Sequence, residues 1–333
     1  MPEWCGSSFS GERRFGAPCA RLRSFQLRFP LVMACYRWNT GQTECRCVRG
    51  SIRKCGFSHI DHMEKVLIRF KRECRRVAMK CGFLSMQRKV DFIICGTQKS
   101  GTTALYSYLD QHHQVCMADK KELHYFDNDD LFSNWKTDYS EYHSWFSPNG
   151  KHKLLGEATP SYMYWKSSPK RIWQYNPSMK ILIILRNPIE RAYSHWNMQR
   201  FKKLERLPFY QAIMSEHERK KKSHPFQDMN FSYVDRGFYL EQLRRIWTYF
   251  SKDQVLILKN EYLKHCHDEA LKDVCDFLGV DRFDNVERKN VHAISYISPL
   301  DKKEKIYLER IYERHIREIE RELGWDCSDW LGC

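Results

Sequence analysis

Lys99 lies between two glycines five positions apart, Gly96 and Gly101, in the run GTQKSGTT, and three hydroxyl residues, Ser100, Thr102 and Thr103, crowd the second glycine. A loop of this make-up gathers an ammonium, hydroxyls and backbone N–H groups around one point, which is the chemistry of holding a phosphate. It departs from the nucleotide-triphosphate pattern G-x-x-x-x-G-K-[ST]. The glycine spacing matches, but Thr102 follows the second glycine and the lysine comes two residues before it. A lysine there sits on the lip of the loop, facing a bond next to a 5′-phosphate, and is poorly placed to run along to a γ-phosphate. A second group of anion-binding type lies further on, in RNPIERAYS, with Arg186 at its head and Ser194 at its end. A planar guanidinium with a fork of donors suits a phosphate dianion.

Local sequence positions these side chains. Residues 90–95 are mostly β-branched or aromatic and predict a buried strand leading into the glycine loop. Ala104, Leu105, Tyr108 and Leu109 then fall at helical spacing. Residues 181–185 form a continuous apolar run, as in a parallel strand covered on both faces. Asn187 can cap the helix that follows, Pro188 suits its first turn, and Glu190 completes a capping-box spacing. Arg186 therefore stands at a strand's carboxyl end, where open α/β sheets bind ligands. Each segment alone also fits a common glycine turn or ordinary surface residues; both in order are harder to dismiss.

The pair of segments resembles the two nucleotide-binding segments of sulfotransferases that use 3′-phosphoadenosine 5′-phosphosulfate (PAPS). The resemblance implies that Lys99, Ser100, Gly101, Thr102 and Thr103 hold the 5′-phosphosulfate and that Arg186 and Ser194 hold the 3′-phosphate. The run KELHYFD, residues 121–127, resembles the K-E-x-H-F-F-D segment of glycan sulfotransferases of the heparan sulfate 3-O type. By that resemblance Glu122 is the catalytic base, with His124 and Asp127 supporting the acceptor and the chemistry. PAPS is then the donor, no metal is needed, and the acceptor is a hydroxyl or amine, foremost of a carbohydrate. The likeness extends over residues 90–331 and has departures. Ala158 stands where the heparan enzymes carry a lysine, and a cysteine-flanked loop is replaced by residues 287–299. There Arg288 and Lys289 are expected to reach the 3′-phosphate and Tyr296 to pack on the nucleotide; a solvated loop fits equally. The arrangement is more like the broad, bacterial-type branch. Phe126, Trp135, Tyr139, Tyr142, Trp145, Phe146, Tyr162 and Trp165 are candidates for a sugar-stacking cleft, or else core.

Apolar runs and helical faces continue to alternate. Strands are expected near residues 153–157 and 254–258. Helices are expected on the face of Leu240, Leu243, Ile246, Trp247 and Phe250, over 269–278, and over 301–323 with Leu308, Ile311, Ile319 and Leu323 turned inward. Residues 204–225 read as an exposed helical excursion. The fold class is α/β, a three-layer α/β/α sandwich with a central parallel sheet, of the P-loop-like sulfotransferase type by resemblance. The enzyme alternative is a P-loop nucleotide or small-molecule kinase.

Charge is unevenly spread. Residues 1–89 carry 19 Lys or Arg against 6 Asp or Glu, whereas the remaining 244 carry 37 against 35. The overall excess of +15 therefore says little about nucleic-acid binding by the enzyme-like part, and no nucleic-acid partner is expected. A basic nucleic-acid or membrane-binding module on residues 1–89 is the non-enzyme alternative. Two parts are expected: a basic, cysteine-rich extension over 1–88 (1–62 poorly ordered, 63–88 a basic amphipathic helix, with Met63 a candidate start) and the sulfotransferase domain over 89–333. The run around Pro30 is too short to span a bilayer and resembles no clear signal peptide. Cys45, Cys47, Cys55, His59 and His62 match no trusted zinc spacing. Cys95 and Cys275 read as small core residues, and Cys327 and Cys333 as a pair that could close in an oxidising compartment. With no transmembrane span expected, the reading leans to the cytoplasm, with the Golgi lumen as alternative.

Overall fold

The computed structural model describes residues 70, 73–75, 77–78, 88–133, 137–223, 227–284 and 296–331. The expectations for residues 1–62, most of 63–88, Trp135, Arg288, Lys289 and Cys333 lie outside them. Five strands form one parallel sheet: β1 (Phe92–Gly96), β2 (Val115–Met117), β3 (Leu154–Ala158), β4 (Lys180–Leu185) and β5 (Val255–Lys259), in the order β2-β3-β1-β4-β5. Phe92 is in register with Gly156 of β3 on one side and Lys180 of β4 on the other.

The central strands are buried on both faces, which is why they read as apolar runs rather than as alternating ones. Alternate side chains feed two separate cores. Phe92, Ile94, Leu182 and Ile184 pack with Leu105, Leu109, Leu271 and Val274. These belong to α1 (Thr102–Leu109) and to the later helix His267–Leu278. Ile93, Cys95, Ile181, Ile183 and Leu185 face the other way, into a larger aromatic core. That layer is built by α2 (Ser140–His143), α3 (Ser168–Tyr175), α4 (Pro188–Phe201), α5 (Phe209–Lys222) and α6 (Tyr239–Trp247), and it is closed by the long C-terminal helix Lys302–Leu323. The short helix α7 (Asn260–His265) precedes α8 (His267–Leu278), and Lys302–Leu323 is α9.

Most expected elements are present within a residue or two, and β2 is the strand that sequence reading missed. On α9 the fully buried residues are Leu308, Tyr312, Ile316 and Ile319; Ile311 and Leu323 are only partly covered. The excursion over 204–225 contains α5, whose inner face (Phe209, Ala212, Ile213, Glu216) is buried rather than solvated throughout. Cys95 and Cys275 are buried free thiols as expected. Residues 70, 73–75, 77 and 78 of the basic N-terminal segment are helical or flank helix, and Arg75 reaches Ser144 O at 3.0 Å.

The topology makes a crevice. The chain leaves β1 for the layer holding α1 and leaves the adjacent β4 for the layer holding α4. Two neighbouring parallel strands that send their helices to opposite faces open a gap at their carboxyl ends, the usual ligand position in such sheets.

Candidate active site

The glycine loop closes this gap from one side. Thr97 N donates to Ile184 O at 2.9 Å, tying the loop's start to β4, and the Thr97 hydroxyl shares a hydrogen bond with Ser100. Gly101 caps α1 with φ 94°, a conformation that L side chains avoid. Asn260, at the start of α7, donates to Ser100 O at 2.8 Å. A Cβ on Gly101 would lie 2.8 Å from that amide nitrogen. The loop is therefore pinned from both β4 and α7. The N–H groups of Thr102 and Thr103 precede the first bond of α1, Ala104 N to Gly101 O at 3.0 Å, and lie at the positive end of the helix dipole beside the gap.

Arg186 closes the gap from the other side. Its Nη1 donates to Lys99 O at 3.2 Å, joining the two expected anion-binding segments directly. Its Nε and Nη2 donate to Glu190 at 3.1 and 2.7 Å. Asn187 caps α4 as expected, accepting from Ile189 N at 2.9 Å, but Glu190 turns to Arg186 instead of completing a capping box. Burial alone would lower the guanidinium's pKa; the bond to Glu190 and the nearby Tyr296 hydroxyl raise it above its ordinary value. Tyr296 thus stands beside Arg186, with its ring against Tyr193 at 5.4 Å. Ser194 is buried on α4, one turn beyond Glu190 on the same face.

The carboxylate segment follows β2 and leans on β3: Glu122 N donates to Ala158 O at 2.8 Å and Leu123 N to the Thr159 hydroxyl at 3.1 Å. Lys121 Nζ lies 2.6 Å from Glu122 Oε1, and His124 Nε2 lies 3.8 Å from Oε2. His124 Nδ1 meets the buried Asp127 at 2.8 Å, and Ser161 also donates to Asp127. Burial pushes the Glu122 carboxyl up, but Lys121, His124 and Lys202 together bring it below the ordinary glutamate value. His124 is raised, first by its bond to Asp127, which outweighs burial. Lys99 is lowered by burial and by the charges of Arg186 and Lys202, with Glu122 opposing. Glu122 is thus an ionised acceptor of protons at neutral pH.

Backbone strain marks the same residues. Among the described non-glycine residues, positive φ occurs at Lys99 (73°), Glu122 (62°), His124 (53°) and Lys203 (61°). Such conformations cost about 1–3 kcal/mol each and persist where the surroundings over-determine them. Three of these four are residues singled out from sequence for chemistry. An open cleft of about 630 Å³ adjoins them, lined by Glu122, His124, Asp130, Trp165, Lys202 and Arg236 among others.

Residues 89–312 match the family described as the sulfotransferase domain. The chain belongs to that family. Heparan sulfate glucosamine 3-O-sulfotransferase 6 of Homo sapiens is 30% identical over 190 residues, 57% of this chain and 52% of that protein. The membrane-associated sulfotransferase kil1 of Dictyostelium discoideum is 35% identical over 115 residues, 34% of this chain and 24% of that protein. The chain therefore spans about half the length or less of these relatives. A crystal structure of a sulfotransferase from Alicyclobacillus acidocaldarius superposes with a TM-score of 0.64 at 25% identity, over 73% of this chain and 99% of that one. Membership sets aside the kinase reading of the glycine loop.

In this sulfotransferase domain the structure brings Lys99, Ser100, Gly101, Arg186, Glu122 and His124 to the carboxyl end of the sheet. Of the two threonines, Thr102 is buried and Thr103 exposed. Of the two alternatives for the aromatic residues, core holds for most: Phe126, Tyr142, Phe146 and Tyr162 are fully buried, Tyr139 and Trp145 pack against that core, and among the described candidates only Trp165 lines the cleft. Sequence reading missed Lys202, Arg236, Asn260 and Gln98. Lys202 had a signal, since it lies two turns beyond Ser194 on the same helical stripe. Asn260 also had one, directly after an apolar strand. Arg236 had none: it comes from a short 3₁₀ turn and is buried with its guanidinium over the Tyr164 ring at 4.3 Å. Among the described residues no cluster of metal-ligating side chains occurs, and no helix is long and apolar enough to cross a membrane.

Proposed function

We propose that this sulfotransferase domain moves a sulfuryl group from PAPS to a hydroxyl or amine of a glycan. The observation that carries the reading is the pairing of Lys99 and Glu122. They come from separate loops, both are held in left-handed backbone, and Lys99 feels the charge of Glu122 where the anion loop meets the open cleft. The donor fits the residues present. The unspent N–H groups of α1, Ser100 and Lys99 suit the 5′-phosphosulfate, and Arg186 with Ser194 suits the 3′-phosphate. Gly101 packs against Asn260, where a Cβ would stand 2.8 Å from the amide nitrogen, so the loop keeps the shape that presents these groups.

PAPS supplies the activated sulfuryl group. Glu122, ionised at neutral pH, takes the proton of the acceptor hydroxyl or amine. His124, oriented by Asp127, keeps one ring nitrogen toward Glu122 and steadies it. Lys99 meets the negative charge that grows on the departing phosphate. A carbohydrate acceptor is supported by relatives named as heparan sulfate enzymes and by a cleft rich in carboxylates and amides beside one indole, a lining that suits hydroxyl groups. The test is calorimetric binding of 3′-phosphoadenosine 5′-phosphate (PAP), with ADP and ATP as controls, on wild type and Arg186→Ala. Tight binding that needs both the 3′-phosphate and Arg186 is expected. Equal or better binding of ATP would overturn the donor assignment.

A further inference from the structure

The turn after α4 is rigid, yet it exposes apolar side chains. Leu204 N and Glu205 N donate to Gln199 O at 3.0 and 3.2 Å, and Lys203 N donates to Arg200 O at 2.9 Å. The buried Glu205 carboxylate accepts from Arg206 N and Leu207 N at 2.8 and 2.9 Å and from the Tyr233 hydroxyl at 2.9 Å, and it is paired with Arg219. On this braced turn Phe201 is 73% and Leu204 51% exposed. Lys202, Lys203 and Arg206 lie between and beside them, exposed and without an ion pair among the described residues. Leu204 continues into an open groove of about 490 Å³ lined by Leu207 and Phe231, by Arg206 and Lys222, and by the carboxylates of Glu205 and Asp228.

Phe201 and Leu204 thus stand in water on a fixed turn, with those cations directly beside them. We propose that the 201–207 turn and the adjoining end of α5 dock on the surface of an anionic lipid bilayer. Apolar tips with cations directly beside them match the two requirements of interfacial binding: burial below the headgroups and attraction to anionic ones. Lys202 belongs both to this turn and to the lining of the catalytic cleft, so a bilayer held here lies against the cleft's rim and favours acceptors presented at a membrane surface. The docking itself does not depend on which acceptor or donor the site uses.

The test is co-sedimentation of the full chain with vesicles of phosphatidylcholine and phosphatidylserine at 70:30, against pure phosphatidylcholine. Wild type is compared with Phe201→Ser/Leu204→Ser. The double variant keeps every charge, including the basic residues 1–89, so attraction through that segment is unchanged. The expected result is at least a tenfold lower partition of the variant onto the 70:30 vesicles, with PAP binding and Tm as in wild type. Should the double variant fold poorly, Phe201→Ser alone supplies the comparison. Equal partition of variant and wild type would overturn the proposal, as would no partition of wild type. So would lipid-free, concentration-dependent dimerisation that the variant abolishes, which would assign the face to a second copy of the chain.

Discussion

Gly101→Ala puts the anion loop to a quantitative test. The residue sits at φ 94°, where an L side chain costs about 1–2 kcal/mol. Its new Cβ would stand 2.8 Å from Asn260 Nδ2, and that amide donates to Ser100 O at 2.8 Å. Asn260 is buried and its own Oδ1 already lacks a partner, so it has little freedom to yield without losing the bond. A hydrogen bond of this kind is worth about 1 kcal/mol. The two effects together come to about 2–3 kcal/mol. The loop can shed that strain by leaving the conformation that aims its N–H groups into the gap. The cost then appears in ligand affinity, as a rise in the Kd for PAP of about 30- to 150-fold. Calorimetry measures it, and Asn260→Ala supplies the cross-check. Alone, that change loses the bond to Ser100; combined with Gly101→Ala it loses it only once. The double variant should fall short of additivity by about 1 kcal/mol. A Gly101→Ala protein with Kd within threefold of wild type and an unchanged Tm would refute the reasoning. Strict additivity would refute the contact.

Glu122→Gln should lower turnover by about 10²- to 10⁴-fold, the usual worth of a general base, with PAP affinity intact; a near-normal rate removes Glu122 from that role. Glu190→Gln frees Arg186 from a half-exposed ion pair worth about 0.2–1 kcal/mol. It should tighten PAP binding by up to about fivefold in calorimetry, whereas weaker binding would mean that Glu190 orients the guanidinium for the ligand. Glu157→Gln reports on stability. Burial raises the Glu157 carboxyl to about 8 in the folded protein, against the bonds from Tyr142 and Thr159. Above the ordinary glutamate value the unfolded chain gives up this proton while the folded one keeps it. The folded state therefore binds more protons, and stability falls as pH rises toward 8, by a few kcal/mol on the order of 4. The glutamine variant should show a flatter Tm between pH 5 and 8 in scanning calorimetry. An unchanged slope would place the titration elsewhere.

What could be read in the sequence follows from where the physics is local. The strands β1 and β4 declare themselves because burial on both faces demands unbroken apolar runs, and Asn187 and Pro188 mark the start of α4 because capping is a matter of adjacent residues. The glycines around Lys99 are legible for a related reason: Gly101 bends at positive φ, and Gly96 packs where a Cβ would stand 2.7 Å from Met163 Sδ. β2 escaped because three residues between polar neighbours carry too little period to be seen. The aromatic residues of 126–162 stayed open between cleft and core because ring chemistry alone does not separate stacking on a ligand from stacking on other rings. Tyr142 is decided by Glu157 and Tyr125 around it, contacts set by tertiary packing.

The strained residues show where local rules give way to the site. Lysine, glutamate and histidine are ordinary in right-handed or extended backbone, and no residue pattern announces that Lys99, Glu122 and His124 occupy the left-handed region. The neighbours hold them there: Thr97 and Asn260 around the first, Ala158 and Thr159 around the second, Asp127 beside the third. Relaxing any one of these would let its side chain swing from the gap between β1 and β4. Substitutions at Asn260 or Thr159, which need not touch a ligand, should therefore disturb the site more than their own hydrogen bonds would suggest. Those supports come from different parts of the chain, so the site's geometry belongs to the assembled carboxyl end of the sheet rather than to either motif alone.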